Sequence, residues 1–259
     1  GRACAGSCSG GGRRAGAVRV VSQGGGQAAE CWDFTVDEIH RCATDVTVLA
    51  VDLPGRRDKP GDLASARIDD WASSVVRDIN DAGLDEIVVV GHSMAGLTMP
   101  SVVTKLGAAR VREMVFAAAF VPPDGGCMLD TLPGPLGWYA RRTVHKRAVG
   151  AMPRALATYS FCNGMTTEQR RFTQARWCSE ASRITVENVD RSAMPNDVPR
   201  TWLLTLRDRA LSVKAQRRSS SALGGVQTLI EVDTSHNLMV TEPRRLAEIL
   251  VERCRRYHR

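Results

Sequence analysis

Short apolar runs alternate with longer amphipathic ones along most of this chain. Val18–Ser22 (VRVVS), Val46–Val51 (VTVLAV) and Ile87–Val90 (IVVV) read as strands. So do Arg112–Val121, Trp202–Leu206 and Gln227–Val232. IVVV is continuous and β-branched, which suits a strand buried on both faces of a parallel sheet. Between the strands, Ile68, Trp71, Ala72, Val75, Val76 and Ile79 recur at helical spacing and predict a helix over Ile68–Ala82. Asp69 and Asp70 stand near its start and Gly83 follows its end, as the helix dipole and the C-terminal stop require. Leu97–Leu106, with Pro100 early, and Pro243–Arg256 are two further helices. Strands alternating with helices predict an α/β fold, a mostly parallel sheet flanked by helices and joined by right-handed crossovers.

Residues 122–199 break the alternation. They hold turn-rich segments (PPDGG, LPGPLG), helical pieces and nearly half of the chain's aromatics, and no buried strand pattern. Inserted between two core strands, they read as a helical lid on a core made of residues 18–121 and 200–259. A plain helical layer with core aromatics is the competing reading. Residues 1–17, rich in Gly and Arg, read as a flexible leader without the apolar stretch of a secretory signal.

Composition narrows the classes. The 259 residues are 43% hydrophobic and 24% charged, an ordinary globular balance that excludes a disordered or fibrous chain. No run reaches the about 18 apolar residues of a membrane span. The net charge is +7, and the bases are overwhelmingly arginine, an excess for which coding bias in a GC-rich genome is the favoured account. The eight cysteines form no CxxC pair, so reduced thiols in a cytoplasmic protein are expected.

The sharpest chemical signal is Gly91-His92-Ser93-Met94-Ala95-Gly96, directly after IVVV. A serine on a tight strand-to-helix turn is pushed out at the C-terminal end of its strand, and the turn tolerates only small neighbours. A hydroxyl needs a general base, and the base needs an orienter. Of the five histidines, His236 follows a strand at its C-terminal end. His92 adjoins the serine, where the turn is expected to point it away. His40 lies on an early helix, His145 in the inserted segment and His258 in the basic tail. Asp208 also ends a strand, which gives the order Ser93, Asp208, His236; Asp124 is a weaker candidate. For an oxyanion hole, the N–H of Met94 is one donor. Gly25, in the Gln23-Gly24-Gly25-Gly26 loop after the first strand, is the favoured second. Gly24, Trp138, Phe161 and Trp177 are candidate substrate contacts. No phosphate loop, dinucleotide fingerprint or metal-ligand spacing occurs, so neither cofactor nor metal is expected.

These motifs, with Val51-Asp-Leu-Pro-Gly55 and His236-Asn-Leu-Met-Val-Thr-Glu-Pro243, resemble the α/β-hydrolase fold family across roughly residues 18–256. Pro199-Arg-Thr-Trp202 and Met239 are similar to the branch holding plant methylesterases and hydroxynitrile lyases. The lyases' threonine, glutamate and lysine stand at positions occupied here by Gly24, His92 and Asn237. The resemblance therefore implies a cofactor-free serine esterase acting on a small carboxylic ester or lactone. A lyase, a cofactor-free oxygenase and a non-catalytic receptor on the same scaffold are the alternatives. Expected partners are a small-molecule ester, with no nucleic acid and no membrane; a homodimer is allowed.

Overall fold

The computed structural model describes residues 18–20 and 27–257. The leader and the glycine loop, Gly24 and Gly25 included, lie outside them. Among the described residues the main sheet has five parallel strands: β1 (Val18–Val20), β2 (Ile87–His92), β3 (Val111–Ala117), β6 (Arg200–Thr205) and β7 (Thr228–Val232), in the order β1-β2-β3-β6-β7. Between β3 and β6, β4 (Val149–Gly150) and β5 (Glu180–Ala181) form a small antiparallel pair.

Alternation along the strands divides the core in two. Val89, Met114, Phe116, Trp202 and Leu204 join one cluster, which also takes in the apolar faces of α2 (Ile68–Asp81) and α3 (Ala95–Leu106). Val88, Val90, Val115, Ala117 and Leu203 join the other, against α1 (Asp33–Cys42), α9 (Leu238–Thr241) and α10 (Pro243–Arg255). The result is a helix–sheet–helix sandwich, with β2, β3 and β6 buried on both faces, as the unbroken apolar run of β2 predicts for that strand.

The helices start and stop where their sequences direct. The Asp70 carboxylate accepts the Arg67 N–H at 3.2 Å ahead of α2. At its other end Gly83 takes φ 63°, and the N–H groups of Gly83 and Leu84 cap the carbonyls of Asn80 and Ile79. Pro243 opens α10, where its missing N–H costs nothing.

Two strand expectations differ from what the described residues show. Val46–Val51 forms no ladder with any described residue. Its side chains do alternate, Val46 and Val48 against one core cluster and Leu49 and Val51 against the other. Burial on two sides accounts for the strand-like pattern. The strand expected over Arg112–Val121 ends at Ala117, because Ala118 turns the chain with φ 44°. The remaining Ala119-Phe120-Val121 stays buried but wraps around the start of α3.

Residues 122–199 hold α4 (Gly134–Thr143), α5 (Arg154–Phe161), α6 (Thr167–Ala175) and α7 (Ser182–Val186). After β6 comes α8 (Val213–Ala222). Among the described residues no helix is long and apolar enough to cross a membrane, and the cysteines there are all free.

One buried ion pair bolts the sheet to α10. Glu113, on central β3, is fully buried and accepts from Arg253 Nε at 2.9 and 3.1 Å and from Thr201 Oγ1. Removing one partner of such a pair strands the other charge in the interior, at a cost of about 3–5 kcal/mol. Arg253→Ala is therefore expected to lower the unfolding free energy in urea by about that amount, while the paired replacement Glu113→Leu/Arg253→Met recovers most of it. Equal losses in the single and paired variants would overturn the assignment of this cost to the stranded carboxylate.

Candidate active site

The site grows out of one turn. β2 ends at His92, α3 begins at Ala95, and Ser93 between them adopts φ 53°. A left-handed backbone at a non-glycine residue costs of order 1–3 kcal/mol and persists only where surroundings hold it. Here they do. The Ser93 N–H donates to Ala117 O at 3.1 Å, and the Ser93 carbonyl accepts from Gly96 N at 3.1 Å and Phe120 N at 2.9 Å. A Cβ on Gly96 would lie 2.4 Å from the Phe120 carbonyl oxygen, and one on Gly91 would lie 3.1 Å from Met99 Sδ. Gly96 is therefore required by close approach of backbone, while at Gly91 the tight contact is with the flexible Met99 side chain. Ala95, at the position where G-x-S-x-G has its last glycine, fits with its methyl buried.

Ser93, His236 and Asp208 come together from three separate strand ends. Ser93 Oγ lies 2.8 Å from His236 Nε2, and His236 Nδ1 lies 2.7 Å from Asp208 Oδ2. The histidine side chain is 1% exposed and the aspartate side chain 0%. The carboxylate is fully engaged: Oδ1 accepts the N–H groups of Ala210 and Leu211 at 2.8 and 2.7 Å, and Oδ2 also accepts Thr205 Oγ1 at 2.9 Å. Asp124, the weaker candidate, instead accepts the Arg191 N–H at 2.8 Å from a segment 67 residues further along the chain.

Several residues that support this row carry no sequence signal. Gln216 is fully buried on α8; its Nε2 donates to Thr205 Oγ1 at 2.9 Å and to the carbonyls of Thr205 and Leu211. It lies in VKAQRRSSSA, a polar helix in which nothing marks one glutamine as interior. Asn237 Nδ2 donates to the Phe161 carbonyl at 3.1 Å, and its Oδ1 accepts from Gln27 Nε2 at 3.2 Å, so one side chain ties the histidine loop to two distant segments.

His92 departs from expectation. It does not point away but lies beneath His236, ring centroids 4.7 Å apart, and its Nε2–H donates to the His236 carbonyl at 2.8 Å. Its Nδ1 is buried without a partner among the described residues. Burial, with a smaller contribution from neighbouring His236, holds its pKa well below the ordinary imidazole value.

Above Ser93 opens a cavity of about 650 Å³, a volume suited to a small organic ligand. Ser93, Met94 and Phe120 line it from the core, and Met128, Leu136, Met152, Phe161 and Trp177 from residues 122–199. The Met94 N–H has no partner among the described residues. Phe161 and Trp177 are thus at the cavity wall, with Phe161 also 5.2 Å from the His236 ring. Trp138 is not: it is 60% exposed on the outer surface, beneath the Arg142 guanidinium. It stands at a position of α4 that faces solvent, which residue type alone does not reveal. Gly24 and Gly25 lie outside the described residues.

Comparison with known proteins places this geometry in a family. Solved structures of similar fold include an extracellular alpha/beta-hydrolase from a Paenibacillus species that shares structural and functional homology with tobacco salicylic acid binding protein 2. It is 22% identical with a TM-score of 0.81, over 92% of this chain and 98% of that one. A methylesterase from Arabidopsis is 16% identical with a TM-score of 0.71, over 92% and 98% of the two chains. A pyrethroid hydrolase from Sphingobium faniae JZ-2 is 16% identical with a TM-score of 0.67, over 93% and 97%. Among curated proteins, the dihydrolipoyllysine-residue acetyltransferase component of the acetoin cleaving system of Cupriavidus necator is 32% identical over 119 residues. That match takes in 42% of this chain, which spans only 30% of the curated relative's length. The model of the alpha/beta hydrolase family matches residues 20–249, and with most of its length so matched, the chain belongs to that family.

Proposed function

We propose that this protein is a serine esterase that hydrolyses a carboxylic ester through an acyl-enzyme. The observation that carries the reading is the unbroken hydrogen-bonded row from Asp208 through His236 to Ser93, ending at the floor of an apolar cavity. The solved structures of similar fold include a methylesterase and a pyrethroid hydrolase, and both names fall in this reaction class.

In this mechanism Ser93 Oγ attacks the ester carbonyl carbon while its proton passes to His236 Nε2. Asp208 stays ionised. It holds the Nδ1–H tautomer and stabilises the imidazolium that forms. The Met94 N–H stands beside Ser93 as a donor for the tetrahedral oxyanion, and each such donor is worth about 2.7–4 kcal/mol. Gly25 is proposed as the second donor from its place in the sequence alone. The imidazolium then protonates the departing alkoxide, and a water activated by the same histidine cleaves the acyl-serine. Residues 122–199 act as the lid that shapes the acyl or alcohol site, with Phe161 and Trp177 in its wall.

The test is an ester panel run beside Ser93→Ala. The variant is expected to lose p-nitrophenyl ester hydrolysis by at least about 10³-fold. A fluorophosphonate is expected to label the wild type and not the variant. Hydrolysis at the wild-type rate by Ser93→Ala, or a wild type that resists the fluorophosphonate, would sink the proposal.

His92 has a positioning role in this scheme, because its Nε2–H holds the backbone of the general base. It must remain neutral when folded but is free to protonate near its ordinary value of 6.5 when unfolded. The unfolded chain then binds more protons, so stability is full above that value and falls as pH drops below it. The slope is up to about 1.4 kcal/mol per pH unit. In His92→Gln this component disappears. The unfolding free energy of the wild type should therefore decline more steeply than that of the variant between about pH 6.5 and 5. Parallel pH profiles would show that His92 does not carry the effect.

A further inference from the structure

The cavity over Ser93 is apolar on most of its wall but not neutral. Lys146 and Arg147, in the turn after α4, line it and are exposed. Neither makes an ion pair or a side-chain hydrogen bond among the described residues. The single carboxylate in the lining is Glu180, and it is already neutralised: Arg56, fully buried, donates Nη2–H to its Oε2 at 2.5 Å, and its Oε1 accepts the Ala181 N–H at 2.9 Å. No compensating acid comes from the neighbouring chain either. Residues 131–167 contain Arg141, Arg142, Lys146, Arg147 and Arg154 and not one Asp or Glu. Arg141 and Arg142 are committed, the first to the Leu129 carbonyl at 2.9 Å and the second over the Trp138 ring. Arg154 donates to Gln174 at 2.7 Å. Lys146 and Arg147 are the cations of this stretch left facing the cavity.

We infer that the substrate is an amphiphilic ester, with an apolar body seated against the lid and an anionic group, away from the scissile bond, that Lys146 and Arg147 hold at the rim. The inference rests on the esterase reading and names its substrate class. Water supplies the oxygen that forms the new acyl bond, the ester C–O bond breaks, and the alcohol leaves with a proton. With the anion on the acyl side, the products are a dicarboxylate and an alcohol. The chemistry that supplies such a substrate is mono-esterification of a diacid or an equivalent doubly functional molecule. Two cations beside a low-dielectric wall also raise the local concentration of an anionic ester ahead of binding, an effect that salt weakens.

The experiment compares octanedioic acid mono-p-nitrophenyl ester with its neutral ω-amide, on wild type and on Lys146→Gln/Arg147→Gln. The readout is the ratio of kcat/KM for the two esters within each protein, so a general effect of the double substitution on the cavity wall cancels. Wild type should favour the carboxylate by about fivefold or more at low ionic strength. The preference should vanish in the double variant and shrink on raising salt to about 0.5 M. Equal kcat/KM for the two esters, or a preference that survives the double substitution, would overturn it. Failure of both esters to turn over in a Ser93-dependent way would instead strike at the esterase reading, so the two failures are separable.

Discussion

Everything at the site depends on the left-handed turn at Ser93. Its strain is offset by three backbone hydrogen bonds, and two of them involve the segment that leaves β3: Ala117 accepts from Ser93, and Phe120 donates to it. Ala118, itself at φ 44°, bends that segment so that Phe120 can reach back. Two irregular backbones thus brace one another. Gly96 has to be bare because the Phe120 carbonyl occupies the space a side chain would need. The strand ends early at Ala117 for the same reason: continuing the ladder would carry Phe120 away from the turn.

A second layer fixes the partners of Ser93. Asp208 is buried, and an ionised carboxylate there is tolerable only with its lone pairs filled. Two N–H groups, a threonine hydroxyl and an imidazole fill them. Thr205 is held in turn by Gln216, whose amide has no freedom to rotate because Thr205 N and the Leu211 carbonyl claim its two ends. His236 is fixed from its backbone by His92 and, through Asn237, by Phe161 and Gln27. Because Phe161 belongs to the inserted segment, its carbonyl–Asn237 bond couples the cavity wall directly to the loop that carries His236.

The main strands and helices, and the meeting of Ser93, Asp208 and His236, were legible in the sequence because each rests on a short local rule. A β-branched run marks a doubly buried strand, a small-residue turn marks the serine, and a strand end marks each partner. What was not legible has a common cause. Ala119–Val121 shows that apolar pattern reports burial rather than ladder pairing. Trp138 shows that an aromatic in an amphipathic helix does not disclose which face it takes; the aromatic-rich segment does wall the cavity, but with Phe161 and Trp177. His92 and Gln216 are read only in three dimensions, since their partners lie at sequence separations of 144 and 11 residues. The glycine loop, the sequence's choice for the second oxyanion donor, lies outside the described residues.

The arginine excess acquires a physical use that charge counting does not show. A guanidinium offers five donors in a fixed fork and stays charged even where burial lowers its pKa, as at Arg191 and Arg200. Arg191 donates to the carbonyls of Pro122 and Ala222, and Arg200 to that of Leu223, so these two forks close the C-terminal end of α8, where the helix dipole favours a cation. Arg110 does the same for the Leu84 carbonyl. Arg56 joins the Gln27 carbonyl, Glu180 and the Trp71 face. Lysine, with a single flexible ammonium, could not bridge such sets. These arginines are structural stitching rather than part of a recognition surface. Lys146 and Arg147 differ from these stitching arginines in their setting, exposed at the lining of an apolar cavity beside a glutamate that Arg56 already pairs.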